Sequence, residues 1–255
     1  MVSSGVVLLE ITARKNCVWK YHEVIEMKPK IMASVSGGKD SVAMALRLWE
    51  LGYEFTIVSV FTEFEFPAVK RQVYRLVEMT GLPHIILETP KGTWDKWFYG
   101  RITKGKLKGC VRGVRFVQNK SLPNCWYRRE AKERLLRKVN ERFDLICVGI
   151  RYDERSRMKK SPNFKYPLVV WRWDKKKVRR YLKEKGFWIK EYELFPHTGC
   201  FLCPYQTKKS WLVLKTHYPE LFKIALKYHH DNLRLVGIPI IPDGIEEQKP
   251  LRVVG

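Results

Sequence analysis

Acidic residues are scarce in this chain. Its 26 Asp and Glu stand against 49 Lys and Arg, a formal charge of +23 over 255 residues. Such an imbalance favours polyanionic partners, nucleic acid first, over small neutral substrates. A thermophilic surface rich in Lys and Arg would carry matching Glu, and here the acids do not keep pace. Long apolar runs are missing too. Runs such as Phe55 to Phe61 and Leu168 to Trp171 fall far short of the roughly 20 residues of a helical membrane span. Met1 to Leu9 has no basic leading segment and Glu10 ends its apolar run. No secretory signal is expected, and a cytoplasmic location is. Internal repeats and low-complexity linkers are absent. Six cysteines without a signal read as thiols, metal ligands or catalytic groups before disulfides.

What is present alternates. Apolar runs at Ile31 to Val35, Phe55 to Phe61, His84 to Leu87 and Leu145 to Ile150 suit buried strands. Between them, Ser41 to Leu51, Ala68 to Met79 and the basic stretch Glu130 to Val139 have helical spacing, and Gly52 and Gly81 close the first two. Long crossovers between strands imply an α/β fold, a mostly parallel sheet with helices on both faces. After Trp173 the character changes. Asp174 reads as the N-cap of a helix to about Lys185, a loop carries His197 and two close cysteines, and helical sequence from Lys208 to His230 is interrupted at Pro219. The expected organisation is an N-terminal extension (1–30), a nucleotide-binding α/β domain (31–173) and a small C-terminal helical region holding the cysteine loop (174–255).

The most informative local feature is Ser36-Gly37-Gly38-Lys39-Asp40-Ser41, set between a strand and a helix. There, backbone N–H groups and a helix N-terminus converge on one point, and glycine lets the backbone approach a phosphate closely. Lys39 adds a point charge, and Ser36 and Ser41 add hydroxyls. The longer Walker A pattern is excluded, because Ala33 stands where its first glycine belongs.

This turn resembles the PP-loop of the ATP pyrophosphatase superfamily, and the closest likeness is to its phosphoadenosine-phosphosulfate (PAPS) reductase-like branch. Three further stretches follow in that branch's order: Gly149-Ile150-Arg151-Tyr152-Asp153-Glu154 with Ser156 and Arg157; Tyr166-Pro167-Leu168 followed by Trp171 and Asp174; and Gly199-Cys200-Phe201-Leu202-Cys203-Pro204. The likeness spans roughly residues 31 to 215. It implies a Rossmann-like fold with an adenine nucleotide, ATP or the sulfonucleotides PAPS and APS, at the C-terminal edge of the strands. Ser36, Gly37, Gly38, Lys39, Asp40, Ser41, Gly149, Arg151 and Arg157 are the expected nucleotide contacts, with Lys39, Asp40 and Arg151 catalytic. Asp40 or the Asp153/Glu154 pair are expected to hold Mg²⁺ through oxygen ligands.

Cys-x-x-Cys alone is ambiguous between a redox pair, a zinc half-site and an iron–sulfur half-site. Cys125 and Cys110 are placed to complete a metal set with Cys200 and Cys203, whereas Cys147 lies in an apolar strand as a core residue. Cys17 stays an unassigned thiol and His197 a loop histidine within reach of the set. The resemblance implies a [4Fe–4S] cluster, with Zn²⁺ as the alternative. The branch's iron–sulfur members carry a cysteine pair where this chain has Cys125 followed by Trp126, so either Cys110 is the fourth ligand or one iron stays open. The branch's reductases also use a cysteine in a Glu-Cys-Gly context near the C-terminus, and no cysteine follows Cys203 here.

Lys96 to Arg129 holds no acid. Arg101, Lys104, Lys106, Lys108, Arg112, Arg115, Arg128 and Arg129 are the expected contacts to a phosphate backbone, along with Lys120. Interleaved aromatics from Trp94 to Tyr127 would stack on unpaired bases. A second basic tract, Arg155 to Lys177, has its one acid at Asp174. The expected function is ATP-dependent, adenylylating, pyrophosphate-releasing sulfur transfer onto tRNA or DNA. A sulfur donor protein or sulfide would be a partner, with a homodimer possible and no membrane involved. The alternatives are a PAPS- or APS-reductase-like enzyme and a nucleotide-dependent nucleic-acid-binding subunit.

Overall fold

A computed structural model describes residues 28–115 and 125–249. Most of the expected N-terminal extension, Cys17, Phe116 and Lys120 lie outside them. Five parallel strands form one sheet in the order β3-β2-β1-β4-β5: β1 Ile31–Ser34, β2 Thr56–Phe61, β3 His84–Glu88, β4 Leu145–Val148 and β5 Phe164–Lys165. The α/β parallel sheet expected from the alternation is present. β5 has only two residues, too few to leave a periodic trace in sequence. β4 stops two residues before the expected Ile150, because Gly149 and Ile150 turn out at the sheet edge.

The helices are α1 Lys39–Glu50, α2 Pro67–Thr80, α3 Thr93–Phe98, α4 Arg134–Asn140, α5 Pro167–Val170, α6 Lys175–Glu184, α7 Lys190–Leu194, α8 Lys208–His217 and α9 Pro219–Val236. A π-helical turn, Arg128–Glu133, runs directly into α4. It extends the expected 130–139 helix backwards, and π turns of this kind are frequent at functional sites. The Asp174 carboxylate accepts from the Lys177 amide at 2.7 Å, capping α6 as its sequence predicts. Pro219 starts α9, where its missing N–H leaves no bond unmade.

The buried residues gather in three clusters. One core joins α1, β1, β2 and α2 to α6 and the 187–192 segment, through Val178, Leu182, Phe187 and Tyr192. A second gathers Phe64, Trp94, Phe98, Trp126 and Tyr127 with Phe201, Trp211 and Phe222, and a smaller cluster under β4 holds Met32, Val58, Val139 and Ile146. Residues on both sides of 173 thus share the first core, and the second assembles around the cysteines. Cys147 is buried in the sheet as expected. The tail after α9 also enters the second core, through Ile240, Ile241 and Ile245.

That tail is fastened by a histidine. His229 Nδ1 accepts from the Ile240 and Ile241 amides, both at 3.1 Å. Its proton therefore sits on Nε2, which faces Glu246 Oε1 at 3.2 Å. His229, His230 and Glu246 offer ligand atoms within 4.8 Å of one another, but a protonated Nε2 has no lone pair for a metal. Burial lowers the His229 pKa below its ordinary 6.5, against the pull of Glu246. A depressed pKa means the unfolded chain binds the proton more readily, so stability is complete above 6.5 and declines as pH falls below it. Denaturant titrations at pH 7.5 and 5.5 should show a loss in the wild type that is smaller in His229→Asn.

Candidate nucleotide and thiol sites

The sheet's direction of winding reverses between β1 and β4, and Ser34 of β1 pairs with Val148 of β4. Open α/β sheets bind ligands at this switch point, off the strands' C-terminal ends. Both nucleotide segments leave from there. Gly37 has φ +75, and a Cβ on it would stand 2.5 Å from the Val69 carbonyl oxygen. Gly149 is forced by packing: its Cβ would meet the Ser41 backbone at 2.7 Å, so its absence lets α1 start against β4.

The loop is closed by its own hydroxyls. The Gly38 amide donates to Ser36 Oγ at 3.4 Å, Ser36 Oγ lies 3.3 Å from Ser41 Oγ, and Ser41 Oγ donates to the Gly38 carbonyl at 2.9 Å. Tyr192 fastens it from below, donating to the Gly37 carbonyl at 2.5 Å. The first-turn amides of α1 have no acceptor within the helix and suit an anion. Lys39 is buried, and its Nζ donates to the Pro196 carbonyl at 2.9 Å. Burial lowers its pKa, assisted by Arg151 and Lys175 and opposed by Asp40. An ammonium has three donors, so one bond to Pro196 leaves others for phosphate.

Arg151 is 7% exposed and spends its guanidinium on carboxylates. It reaches Asp40 Oδ2 at 2.6 Å, Asp153 Oδ1 at 3.0 Å and Glu154 Oε1 at 3.0 Å. These contacts make Arg151 a hub that ties the α1 start to the segment after β4. Arg157 extends it, donating to Glu154 Oε2 at 2.7 Å. Burial would lower the Arg151 pKa, but the hydrogen bonds it donates to Asp153 and Asp40 outweigh that and hold the charge. Burial raises the Asp40 pKa against the pull of Arg151. Asp40 Oδ1 is buried without a partner. It is an oxygen ligand waiting for a cation or hydroxyl, which fits Mg²⁺ at this position.

Sequence spacing could not reveal the loop that lies across these groups. Thr198 Oγ1 comes within 3.9 Å of a Cβ placed on Gly38, and His197 has its pKa lowered by burial and by Lys39. His197 therefore belongs to the nucleotide edge. Cys200 follows four residues after Pro196, at most about 14 Å of chain.

Cys200, Cys203 and Cys125 lie close enough to act on one another's thiols. Burial pushes the Cys200 thiol well up, with Cys203, Glu65 and Cys125 acting in the same direction. Burial and Cys125 likewise raise Cys203, and burial raises Cys125. Any metal must displace these protons. Among the described residues, the three sulfurs do not all lie within 4.8 Å of one another. That is wider than the edge of about 3.8 Å that Zn–S bonds of about 2.3 Å give a tetrahedron. Cys110 differs, being exposed on the turn whose backbone closes from Ile102 to Cys110.

The basic segment keeps its charge and loses four of its aromatics to packing. Trp94, Phe98, Trp126 and Tyr127 are buried in the second core, so they do not offer faces to bases. Arg112 stacks on Trp97 at 4.7 Å. Arg101 donates to the Gly109 carbonyl at 2.7 Å and Arg115 to that of Val111 at 2.9 Å. Arg128 pairs with Glu133 at 2.9 Å and Arg129 with Glu130 at 3.1 Å. Lys104, Lys106 and Lys108 are exposed.

The PP-loop, the Arg151 segment and the Cys200–Cys203 loop all lie within residues 30–206, which match the phosphoadenosine phosphosulfate reductase domain. The chain belongs to that family. Among solved structures it is similar to phosphoadenylyl-sulfate reductase from Candida auris in a phosphate complex. The two share 14% identity over 69% of this chain and 84% of that one, with a TM-score of 0.49. It is also similar to the U34-tRNA thiolase NcsA from Methanococcus maripaludis with its [4Fe-4S] cluster, at 14% identity over 85% and 75% of the two chains, with a TM-score of 0.42. No curated protein matches the sequence. Among the described residues of this PAPS reductase-family chain, no helix is long and apolar enough to cross a membrane.

Proposed function

We propose that this chain is an ATP-dependent sulfurtransferase acting on nucleic acid, tRNA or DNA. The observation that carries the reading is the Phe195–Cys200 segment, where Lys39 of the phosphate loop bonds Pro196 and the thiol group begins at Cys200. On this reading one short loop would link the nucleotide to the sulfur chemistry. The PP-loop amides and Lys39 would hold the terminal phosphates of ATP and stabilise charge on departing pyrophosphate. Asp40 Oδ1 would meet Mg²⁺. A substrate oxygen attacking the α-phosphorus would become an AMP ester, and sulfur would then displace AMP. Cys125, Cys200 and Cys203 would hold a [4Fe–4S] cluster whose chemistry is sulfur handling.

The test is anaerobic incubation of purified protein with ATP, sulfide and RNA or DNA. The reading requires substrate-dependent exchange between ATP and pyrophosphate, and a thiolated nucleotide by mass spectrometry. Sulfite release from PAPS without either would replace it with the reductase reading.

Nucleic acid would meet the exposed lysines before the paired arginines. Substituting Lys104, Lys106 and Lys108 together by alanine should flatten the salt dependence of RNA binding by about 2 in log–log slope, since each single-strand phosphate contact contributes roughly 0.7. An unchanged slope would place the interface elsewhere.

A further inference from the structure

Glu65 has no role in the nucleotide chemistry, yet its carboxylate is 1% exposed. Charged side chains are almost never buried this fully unless paired. Half of this one is paired: Oε1 accepts from Thr62 Oγ1 at 3.2 Å and faces the Lys132 ammonium. The other oxygen, Oε2, is buried with no partner. Sequence distance hides where it sits. Glu65 forms an isolated antiparallel bridge with Cys200, backed by the Phe201 amide donating to the Phe64 carbonyl at 2.9 Å. Residues opposite each other in an antiparallel pair project to the same face, with Cβ atoms about 4.5–5.5 Å apart. The backbone therefore holds the Glu65 carboxylate beside the Cys200 thiol, and Lys132 comes from the π turn that follows Cys125.

We propose that Glu65 Oε2 is the fourth protein ligand of the Cys125–Cys200–Cys203 centre, in the place first assigned to Cys110. The proposal rests on the cluster reading above. Thr62 and Lys132 occupy Oε1, fixing the carboxylate's orientation in the way outer partners orient metal ligands. An oxygen donor is harder than a thiolate and suits iron less well, so this position is the exchangeable one of the four.

The whole chain, reconstituted anaerobically with ⁵⁷Fe and sulfide, can be compared with E65Q, C110S and C200S by iron content and Mössbauer spectroscopy. Wild type and C110S should both show one iron in four with the signature of an oxygen ligand. E65Q should lose that signature while keeping its cluster, and C200S should lose iron. A wild-type spectrum in which all irons are thiolate-bound overturns the proposal without needing any variant to fold. So does loss of the distinct iron in C110S, or an E65Q spectrum identical to wild type. A wild type that takes up no iron overturns the cluster reading itself, and the Glu65 assignment with it.

Discussion

Arg151→Met should destabilise the protein by about 3–5 kcal/mol, the usual cost of stripping one partner from a buried ion pair. The side chain is 8% exposed and faces three carboxylates, Asp40, Asp153 and Glu154. Methionine fills similar volume but leaves those charges to repel one another at the mouth of the nucleotide site. Asp153 is 43% exposed and will be relieved by water. Asp40 carries most of the penalty, because burial already pushes its pKa up. Removing the guanidinium lets it rise further, so Asp40 takes a proton earlier as pH falls. The difference between variant and wild type should therefore shrink between pH 7.5 and pH 5. Arg151→Lys should recover part of the stability, since an ammonium supplies charge without the planar fork. Urea titrations across pH decide this. A constant difference would mean that Asp40 is not the group left exposed.

Gly37→Ala should have the next largest effect, and it should fall on nucleotide affinity. Its φ of +75 disfavours any side chain, and the added Cβ would stand 2.5 Å from the Val69 carbonyl oxygen and 2.7 Å from Val69 Cγ1. Left-handed strain of about 1–2 kcal/mol and overpacking of about 1–3 kcal/mol act at one residue. If the loop absorbs about 2–4 kcal/mol, ATP binding weakens by roughly 30- to 1,000-fold. Gly38→Ala is the control. Gly38 has φ −72, and its Cβ would meet only Ser36 Oγ at 3.4 Å and Thr198 Oγ1 at 3.9 Å. It should bind ATP within a few-fold of wild type. Calorimetry with a non-hydrolysable ATP analogue separates the two, and equal losses would show that the glycines serve a shared purpose other than backbone freedom.

Local order made the first half of this protein readable. A strand, a glycine turn and a helix are contiguous, and their hydrophobic periods follow from backbone geometry alone. The chain therefore announced the glycine turn between β1 and α1, the cap at Asp174, the break at Pro219 and the burial of Cys147. The net charge and the lack of acid between Lys96 and Arg129 were equally visible. Sequence by itself determined the parallel α/β sheet, and the ordered motifs pointed to the family that the domain match then showed.

Tertiary structure decided which side chains meet. Lys39 bonds a carbonyl 157 residues away, and Tyr192 reaches the Gly37 carbonyl across 155. No local pattern encodes such pairs. Arg151 reads in sequence as a phosphate ligand, and only the fold brings three carboxylates to it. Trp94, Phe98, Trp126 and Tyr127 read as stacking platforms until the second core claims them, because burying large apolar area outweighs leaving it for a ligand. Glu65 carries no signal at all, since its bridge to Cys200 exists only after the second core folds around both strands of chain.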